Sequence, residues 1–251
     1  MRRFSDLIRR TAGKKRFNTA IILAAGSGTR FDDSRAKQFV EIDGVSVLVR
    51  SASAFEQSSL IDEIIIVTRQ ADIEGCRNIL KEAGITKLTR VVAGGDTRQQ
   101  SAKIGFDAAN PTCDFVAIHD AARCLVTPEM IEAAMESAYV TGAAACASRV
   151  VDTIKRTNGA DMITETLDRE NAWLVQTPQI FMADMYRAAS YMAEKDNVIS
   201  TDDCALAERL GFKVQLVECG KTNMKITYPE DIIIAEAILA HRKKKNEEDA
   251  E

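Results

Sequence analysis

The sequence predicts an α/β fold: a doubly wound, mostly parallel sheet with a protruding β-arm. Strand-like and helix-like segments alternate along most of the chain, which is the pattern of a parallel sheet covered by helices. The first strand-like segment, residues 20–25, is continuously apolar and therefore typical of a strand buried on both faces. Residues 152–156 and 162–167 break this rhythm, because β-branched and polar residues alternate there around Asn158-Gly159, a hairpin signal.

The elements follow in order along the chain. Strands are predicted at residues 19–24, 63–67, 88–92, 115–119, 144–150 and 213–217. Helices are predicted at residues 47–57, 72–83, 98–109, 128–140, 183–194, 202–210 and 229–242. Thr127 before Pro128 and Glu129 fits a helix N-cap followed by proline in the first turn. Pro229, Glu230 and Asp231 likewise place acidic residues at the positive end of the last helix.

The segment 151–173 is interpreted as a β-arm that leaves the main body. A two-stranded ribbon is only marginally stable in water, so such an arm needs a partner surface to cover it. No internal repeat or low-complexity tract interrupts the rest of the chain.

Length and composition define the domain organisation. A chain of 251 residues with 46% apolar content can bury a substantial core, and we assign residues 18–242 to a single domain. Residues 1–17 carry seven Lys and Arg against one Asp and form a basic extension that is expected to be mobile. An organelle-targeting role for it is a less favoured alternative. Residues 243–251 form a charged tail.

Charge and cysteine content exclude several classes of protein. The net charge of −4 argues against a general nucleic-acid binder, and no apolar run approaches the roughly 20 residues of a membrane span. Six scattered cysteines without a C-x-x-C pair make structural zinc or a disulfide framework unexpected, which suits a reducing cytoplasm. With only His119 and His241 present, a histidine-rich metal site is not expected, and His119 is interpreted as structural.

The loop after the first strand is the strongest functional signal. Residues 19–37 read TAIILAAGSGTRFDDSRAK, in which small residues allow backbone N–H groups to approach a ligand closely. Arg30 and Lys37 beside such a loop suit a polyphosphate. Phe31 stands where a dinucleotide-binding G-x-G-x-x-G needs its third glycine, and no G-K-[ST] closes a P-loop. The loop therefore indicates another kind of nucleotide site.

Further segments resemble those of one family in the same order. They are AAGSGTRF with AKQF, GGDTRQQSA at 94–102, HDAAR at 119–123, VDTIKR at 151–156, LDRENAW at 167–173, TPQIF at 177–181, TDDCALAE at 201–208 and KITYPED at 225–231. Together they resemble the 2-C-methyl-D-erythritol 4-phosphate cytidylyltransferases of the non-mevalonate isoprenoid pathway, from about residue 19 to about residue 242. The resemblance implies a Rossmann-like nucleotidyltransferase fold and a homodimer in which the β-arm clasps the second subunit.

The resemblance also implies the reaction and its site. CTP and methylerythritol phosphate are joined with release of pyrophosphate, in the presence of Mg²⁺ or another divalent cation, and positioning together with cations suffices for such chemistry. Arg30 and Lys37 match transition-state stabilisers, while Arg169 and Lys225 match residues that hold the incoming phosphate. The matched nucleotide-binding positions are Ala24, Ala25, Gly26, Gly28, Gly95, Asp96 and Ser101. The matched substrate-binding positions are Asp120, which is also a candidate ligand of the cation, Arg123, Thr153 and Thr177.

Two departures from the family pattern leave the acceptor open. Ala36 and Cys124 stand where the family usually has proline, so two rigid turns carry smaller or more flexible residues. A cytidylyltransferase for another polyol phosphate, such as ribitol 5-phosphate, is the nearest alternative. A nucleotide-binding relative without catalytic activity is a second alternative, although the retained cations argue against it.

Overall fold

The computed structural model describes residues 16–26 and 37–249, with Lys37 described by its main chain alone. Within this part, seven strands form one large sheet. Most of the predicted basic extension, and the loop that holds Gly28 and Arg30, lie outside the described residues. The strands of the sheet are β1 (Asn18–Leu23), β4 (Glu63–Thr68), β5 (Leu88–Ala93), β6 (Phe115–Asp120), β7 (Ala143–Arg149), β10 (Trp173–Met182) and β11 (Gln215–Glu218). Their spatial order is β11-β7-β10-β6-β1-β4-β5. A separate small ribbon pairs β2 (Glu41–Ile42) with β3 (Val45–Ser46).

Six of the strands in the large sheet run in the same direction. β1 pairs in parallel with β4 and β6, β4 with β5, and β11 with β7, whereas β10 is antiparallel to both β6 and β7. All residues of β4 and β6 are buried, as expected for strands covered on both faces. The predicted mostly parallel sheet is confirmed.

The antiparallel strand β10 is absent from the sequence prediction. Pro178 lies in its middle, and proline lacks the N–H that a central strand donates, so the pattern argues against a strand there. The structure accommodates Pro178, which follows a cis peptide bond, by a register shift between Val175 and Gln179. The strand therefore pairs with β7 on both sides of an irregular segment, residues 176–178.

Helices cover both faces of the sheet. Those described are α1 (Val47–Gln57), α2 (Ile73–Glu82), α3 (Arg98–Asp107), α4 (Pro128–Thr141), α5 (Ala183–Lys195), α6 (Asp203–Arg209) and α7 (Asp231–Glu248). Thr127 caps α4 by accepting from the Met130 N–H, as predicted. Helix α7 continues to Glu248, so part of the predicted charged tail is helical. None of the helices in the described ranges combines the length and apolarity that a membrane span requires.

Helix α3 packs closely against the sheet at Gly105. A Cβ atom at this position would lie 2.4 Å from Ile21 Cγ2 and 2.8 Å from Val67 Cγ2. Only glycine leaves space for those two side chains, so α3 can approach β1 and β4 closely. This contact fixes the height of α3 above the sheet, and α3 begins with Arg98 at the carboxyl edge.

The predicted hairpin is present as β8 (Lys155–Thr157) and β9 (Ile163–Thr166), which pair in antiparallel fashion. The turn differs from a two-residue Asn-Gly connection: it spans residues 158–162, and the residue with positive φ is Asp161. Asn158 Oδ1 accepts hydrogen bonds from the Ala160 and Met162 N–H groups and stabilises this longer turn. Every residue of both strands is exposed, so the hairpin protrudes without cover from the described part of its own chain.

Candidate functional site

A cavity of about 460 Å³ lies at the carboxyl edge of the parallel strands. The ends of β1, β5 and β6 and the segment that follows β11 contribute to it, which is where open α/β sheets bind ligands. Its lining consists of Leu23, Ala24, Ala25, Gly26, Gln38, Val47, Gly95, Asp96, Thr97, Arg98, Ser101, Asp120, Ala121, Ala122, Lys225 and Thr227.

The floor of the cavity is main chain that leaves β1. The sheet pairing continues past the strand end, because the Ala24 N–H donates to Val67 O at 2.7 Å and the Ala121 N–H donates to Leu23 O at 3.0 Å. Ala24, Ala25 and Gly26 then carry almost no side-chain bulk into the cavity. This segment therefore presents backbone to a ligand, as the small-residue loop predicts.

The loop after β5 forms the adjacent wall. A Cβ atom on Gly94 would lie 2.7 Å from both Ala25 Cβ and Ser101 Oγ, so the two loops meet here because Gly94 has no side chain. The Gly95 N–H donates to Ser101 Oγ at 3.2 Å, and the Ser101 side chain thereby folds the loop over the start of α3. Thr97 and Gln100 form a capping box at the same helix end.

Four charged side chains alternate in sign across the cavity and behind it. Lys225 Nζ lies 2.7 Å from Asp120 Oδ2, and Arg98 Nε lies 3.0 Å from Asp120 Oδ1. The same guanidinium reaches Asp203 through Nη1 at 2.7 Å. Asp203 is outside the cavity lining, whereas Asp120, Arg98 and Lys225 belong to it.

The two cations determine the ionisation of Asp120. Burial would raise the pKa of this carboxyl, but the charges of Arg98 and Lys225 outweigh it and hold the pKa well below its usual range. Burial also opposes the charged form of Arg98, yet Asp203 and Asp120 raise its pKa. The cavity thus contains an ionised carboxylate between two cations, one of which, Lys225, reaches solvent because its side chain is 40% exposed.

Thr177 and His119 support Asp120 from behind. The Asp120 N–H donates to Thr177 Oγ1 at 3.0 Å, and the same hydroxyl lies 3.1 Å from His119 Nδ1. His119 is fully buried against the Phe55 ring, and this burial lowers its pKa to about 3. The Thr177 hydroxyl therefore holds the backbone of Asp120, while its predicted contact with substrate stays a prediction. His119 is structural as expected.

Arg123 also lies behind the cavity and is not part of its lining. Its Nη1 donates to Asn223 O at 3.0 Å, and Asn223 in turn donates through Nδ2 to Thr177 O at 2.9 Å. The Ile226 N–H completes this connection by donating to Ala122 O at 2.8 Å. Arg123 therefore fastens the segment that carries Lys225, and its predicted contact with substrate stays a prediction.

Thr153 and Arg169 lie on the exposed arm, away from the cavity of their own chain. Arg169 Nη1 donates to Val151 O at 3.0 Å, which ties the base of the hairpin to the turn that follows it. The structure of one chain therefore does not bring these two predicted residues to the site.

Eight of the predicted site residues line one cavity: Ala24, Ala25, Gly26, Gly95, Asp96, Ser101, Asp120 and Lys225. Gly28, Arg30 and the Lys37 side chain lie outside the described residues. Sequence reasoning missed Arg98 and Asp203, although both stand in the quoted motifs GGDTRQQSA and TDDCALAE. The sequence pattern marks each only as part of a helix start, because it does not show that these charges are buried together.

The described residues do not form a metal site by themselves. Among them, no three His, Cys, Asp or Glu side chains are grouped closely enough to hold a metal ion. Each oxygen of Asp120 accepts one hydrogen bond from a cationic side chain and keeps a further lone pair, so its role as a ligand of the cation stays a prediction.

The fold and the cavity define the class of the protein: an α/β nucleotide-binding protein whose site lies at the carboxyl edge of a mostly parallel sheet. A model of the 2-C-methyl-D-erythritol 4-phosphate cytidylyltransferase family matches residues 18–241. This match covers most of the chain, and the protein belongs to that family.

Individual relatives agree with this assignment. The 2-C-methyl-D-erythritol 4-phosphate cytidylyltransferase of Caldanaerobacter subterraneus subsp. tengcongensis is 42% identical over 222 residues, covering 88% of this chain and 98% of the relative. That of Alkaliphilus metalliredigens is 39% identical over 226 residues, covering 90% and 94%. The crystal structure of 4-diphosphocytidyl-2C-methyl-D-erythritol synthase from Anaerococcus prevotii superposes with a TM-score of 0.81 at 30% identity, covering 90% of this chain and 97% of that one.

Proposed function

We propose that the protein transfers the cytidylyl group of CTP to 2-C-methyl-D-erythritol 4-phosphate, forming the diphosphocytidyl alcohol and pyrophosphate. The observation that carries this proposal is the convergence of the bare main chain after β1, the Gly95–Asp96 loop and Lys225 on one cavity, in a chain of this family. The named product of the Anaerococcus relative contains a diphosphate, which requires one phosphorus from each substrate.

The chemistry is an in-line displacement at phosphorus. A phosphate oxygen of the acceptor attacks the α-phosphorus of CTP, the bond to the bridging oxygen of the β-phosphate breaks, and pyrophosphate leaves with that electron pair. Both reactants are anions, so the site must neutralise their charge and hold them in line. Lys225 is suited to the incoming phosphate because its ammonium is partly exposed at the cavity and already fixed by Asp120.

Arg30 and Lys37, which the sequence predicts to stabilise the transition state, are the further cations of the proposed site. Two cations on the loop after β1 would neutralise charge on the α-phosphoryl oxygens and the leaving group. Gly95, Asp96 and Ser101 form the wall proposed to recognise cytosine. A buried polar group that loses its partner is costly, and this predicts discrimination against UTP. A divalent cation remains part of the proposal: Mg²⁺ prefers few carboxylates together with substrate phosphates, so it would enter on the triphosphate, with Asp120 as its candidate protein ligand.

We also propose that the protein acts as a homodimer joined through the β-arm. Met162 and Ile163 are 66% and 63% exposed on this arm, and apolar side chains in such a position are stabilised by a partner surface. Thr153 and Arg169, which the family resemblance places at the acceptor, lie away from their own cavity. An arm that reaches the neighbouring subunit would bring them to that subunit's site.

Pyrophosphate release tests the proposed reaction with a small panel of substrates. CTP and UTP are each combined with 2-C-methyl-D-erythritol 4-phosphate and with ribitol 5-phosphate, in buffer containing Mg²⁺. We expect release with CTP and the methylerythritol acceptor, and at least about 100-fold less in kcat/KM with UTP. Preference for ribitol 5-phosphate would identify a different acceptor on the same site, and no release with any pair would reject the enzymatic proposal.

A further inference from the structure

A buried carboxylate, that of Asp203, lies behind the cavity and pairs with a cation of the cavity lining. Asp203 is 1% exposed at the first position of α6, and it is absent from the cavity lining. Its Oδ1 accepts from the Tyr186 hydroxyl at 3.1 Å, and its Oδ2 pairs with Arg98 Nη1 at 2.7 Å. Both oxygens are therefore engaged, one by a neutral donor from α5 and one by a cation of the site.

The backbone around Asp203 is also fixed. Gln179 on β10 accepts through Oε1 from the Asp203 N–H at 2.9 Å and from the Cys204 N–H at 3.1 Å. Gln179 Nε2 donates to Asp202 at 3.0 Å, so one side-chain amide attaches the start of α6 to the sheet through both its oxygen and its nitrogen. The position of the Asp203 carboxylate is thereby set by the core rather than by the surface.

Arg98 connects the Asp203 carboxylate to the Asp120 carboxylate at the cavity. The guanidinium is a planar fork, and it contacts Asp203 through Nη1 and Asp120 through Nε at 3.0 Å. Because these two nitrogens belong to one rigid group, the place of Asp203 determines where Arg98 meets Asp120. Without Asp203, Asp120 would be the single carboxylate paired with Arg98 in the described part of the chain, and the guanidinium could turn toward it.

We infer that Asp203 is a positioning residue of the cytidylyl transfer: it holds Arg98, and through Arg98 it fixes the Asp120 carboxylate at the nucleotide cavity. This inference rests on the proposed function, because Asp120 shares that cavity with the nucleotide-binding loops. The competing explanation is that Asp203 only neutralises a buried arginine and stabilises the fold.

Asp203→Asn separates these explanations, since asparagine has the same shape and keeps an acceptor for Arg98 but lacks the charge. Displacing a positioned group by about 1 Å costs on the order of 10²-fold in rate. We expect kcat/KM for CTP to fall by about 10-fold to 100-fold. A rise in the KM for CTP is expected to contribute at least about threefold of this fall. Loss of folded protein alone would lower kcat and leave KM unchanged.

Glu63→Gln is the matched control. Glu63 is also buried and accepts from Thr19, Thr89 and the Asn110 N–H. It is the first residue of β4, so it lies at the amino ends of the parallel strands, whereas the cavity lies at their carboxyl ends. Neutralising it removes a buried charge without touching the cavity. We expect a lower free energy of unfolding in this variant and a KM for CTP within about twofold of wild type.

A double-mutant cycle with Arg98→Lys shows whether Asp203 acts through Arg98. Lysine is a point charge that cannot bridge two carboxylates in a fixed geometry. We expect D203N to cost less than about threefold in kcat/KM in the R98K background. An equal cost in both backgrounds would overturn the inference.

A second variant keeps the test decisive if D203N does not fold. Tyr186→Phe removes one hydrogen bond to Asp203, and we expect a rise in the KM for CTP of about threefold that disappears in the R98K background. Wild-type KM and kcat in folded D203N, or in Y186F if D203N is unfolded, would overturn the inference. A wild-type protein that binds no CTP by calorimetry and releases no pyrophosphate would instead overturn the proposed function on which it rests.

Discussion

At the residue scale, the sequence predicts the charged site residues that lie in recognisable motifs, but it does not predict which charges are buried together. Asp120 and Lys225 are predictable because Asp120 lies in the motif HDAAR and Lys225 begins KITYPED, and the structure brings their side chains within 2.7 Å. Arg98 and Asp203 escape prediction because charged residues in the first turn of a helix are usually solvated. Their pairing depends on the close approach of α3 and α6, which no local pattern reveals.

Burial of His119 leads to a pH-dependent stability. Its pKa in the folded protein is about 3, below the unfolded value near 6.5, so protons bind preferentially to the unfolded chain as the pH falls below about 6.5. Stability associated with His119 is therefore complete above that pH and decreases below it. Between pH 6 and pH 5, we expect wild type to lose about 1 kcal/mol more than His119→Gln in urea unfolding.

The two proteins are compared by how steeply their free energy of unfolding changes with pH. This difference isolates His119, because His241 and all carboxyl groups are present in both proteins. Asp120 contributes in a different range: its folded pKa is lowered, so its stabilisation is present above about pH 4 and is lost as the pH falls further. Equal slopes for the two proteins between pH 6 and pH 5 would show that His119 is not held neutral.

At the scale of elements, the sequence predicts the helices well and misses one strand of the large sheet. Periodicity and capping residues place all seven described helices, since these signals are local. Strand β10 is missed because Pro178 argues against a central strand, and only the register shift around it makes that strand compatible with the sheet. Thr177, whose hydroxyl accepts from the Asp120 N–H, lies in this irregular segment.

Packing of α3 against the sheet gives a prediction at this scale. Gly105→Ala would favour the helix by up to about 1 kcal/mol through propensity alone. However, its Cβ would lie 2.4 Å from Ile21 and 2.8 Å from Val67, and overpacking of this kind costs about 1–3 kcal/mol. We expect a net loss of about 1–2 kcal/mol in the free energy of unfolding.

Gly159→Ala is the control for this change. Gly159 lies in the exposed hairpin turn, where an added Cβ would meet no described atom within 4 Å, and its φ is not positive. We expect its stability to stay within about 0.5 kcal/mol of wild type. A G105A protein as stable as G159A would show that α3 can move away from β1 and β4 at little cost.

At the scale of the whole molecule, the described core accounts for the site but not for the arm. The cavity of one chain already contains most of the proposed nucleotide positions, whereas the exposed hairpin lies between Thr153 and Arg169. The sequence predicts the hairpin from local alternation, but a partner surface cannot be derived from one strand pattern. The dimer therefore stays a proposal.

Substitution on the arm tests the dimer directly. Met162→Lys with Ile163→Lys places two charges on the exposed apolar side chains of the hairpin, which a dimer interface would have to bury. By light scattering, we expect wild-type dimers and variant monomers, with unchanged circular dichroism and at least about 100-fold lower kcat/KM. Full activity in a stable monomer would contradict a shared site.

We propose that separated cations act together on a triphosphate held by main chain, and pyrophosphate release by Lys225→Ala measures what one of these cations contributes. Lys221→Ala is the control, because Lys221 is exposed in the same segment and does not line the cavity. Lys37→Ala extends the test to the loop after β1.

We expect K225A and K37A to remain folded and to lose on the order of 10²–10³ in rate, while K221A keeps wild-type turnover. Near-wild-type pyrophosphate release by K225A and K37A would show that neutralisation of charge by these cations does not drive the transfer.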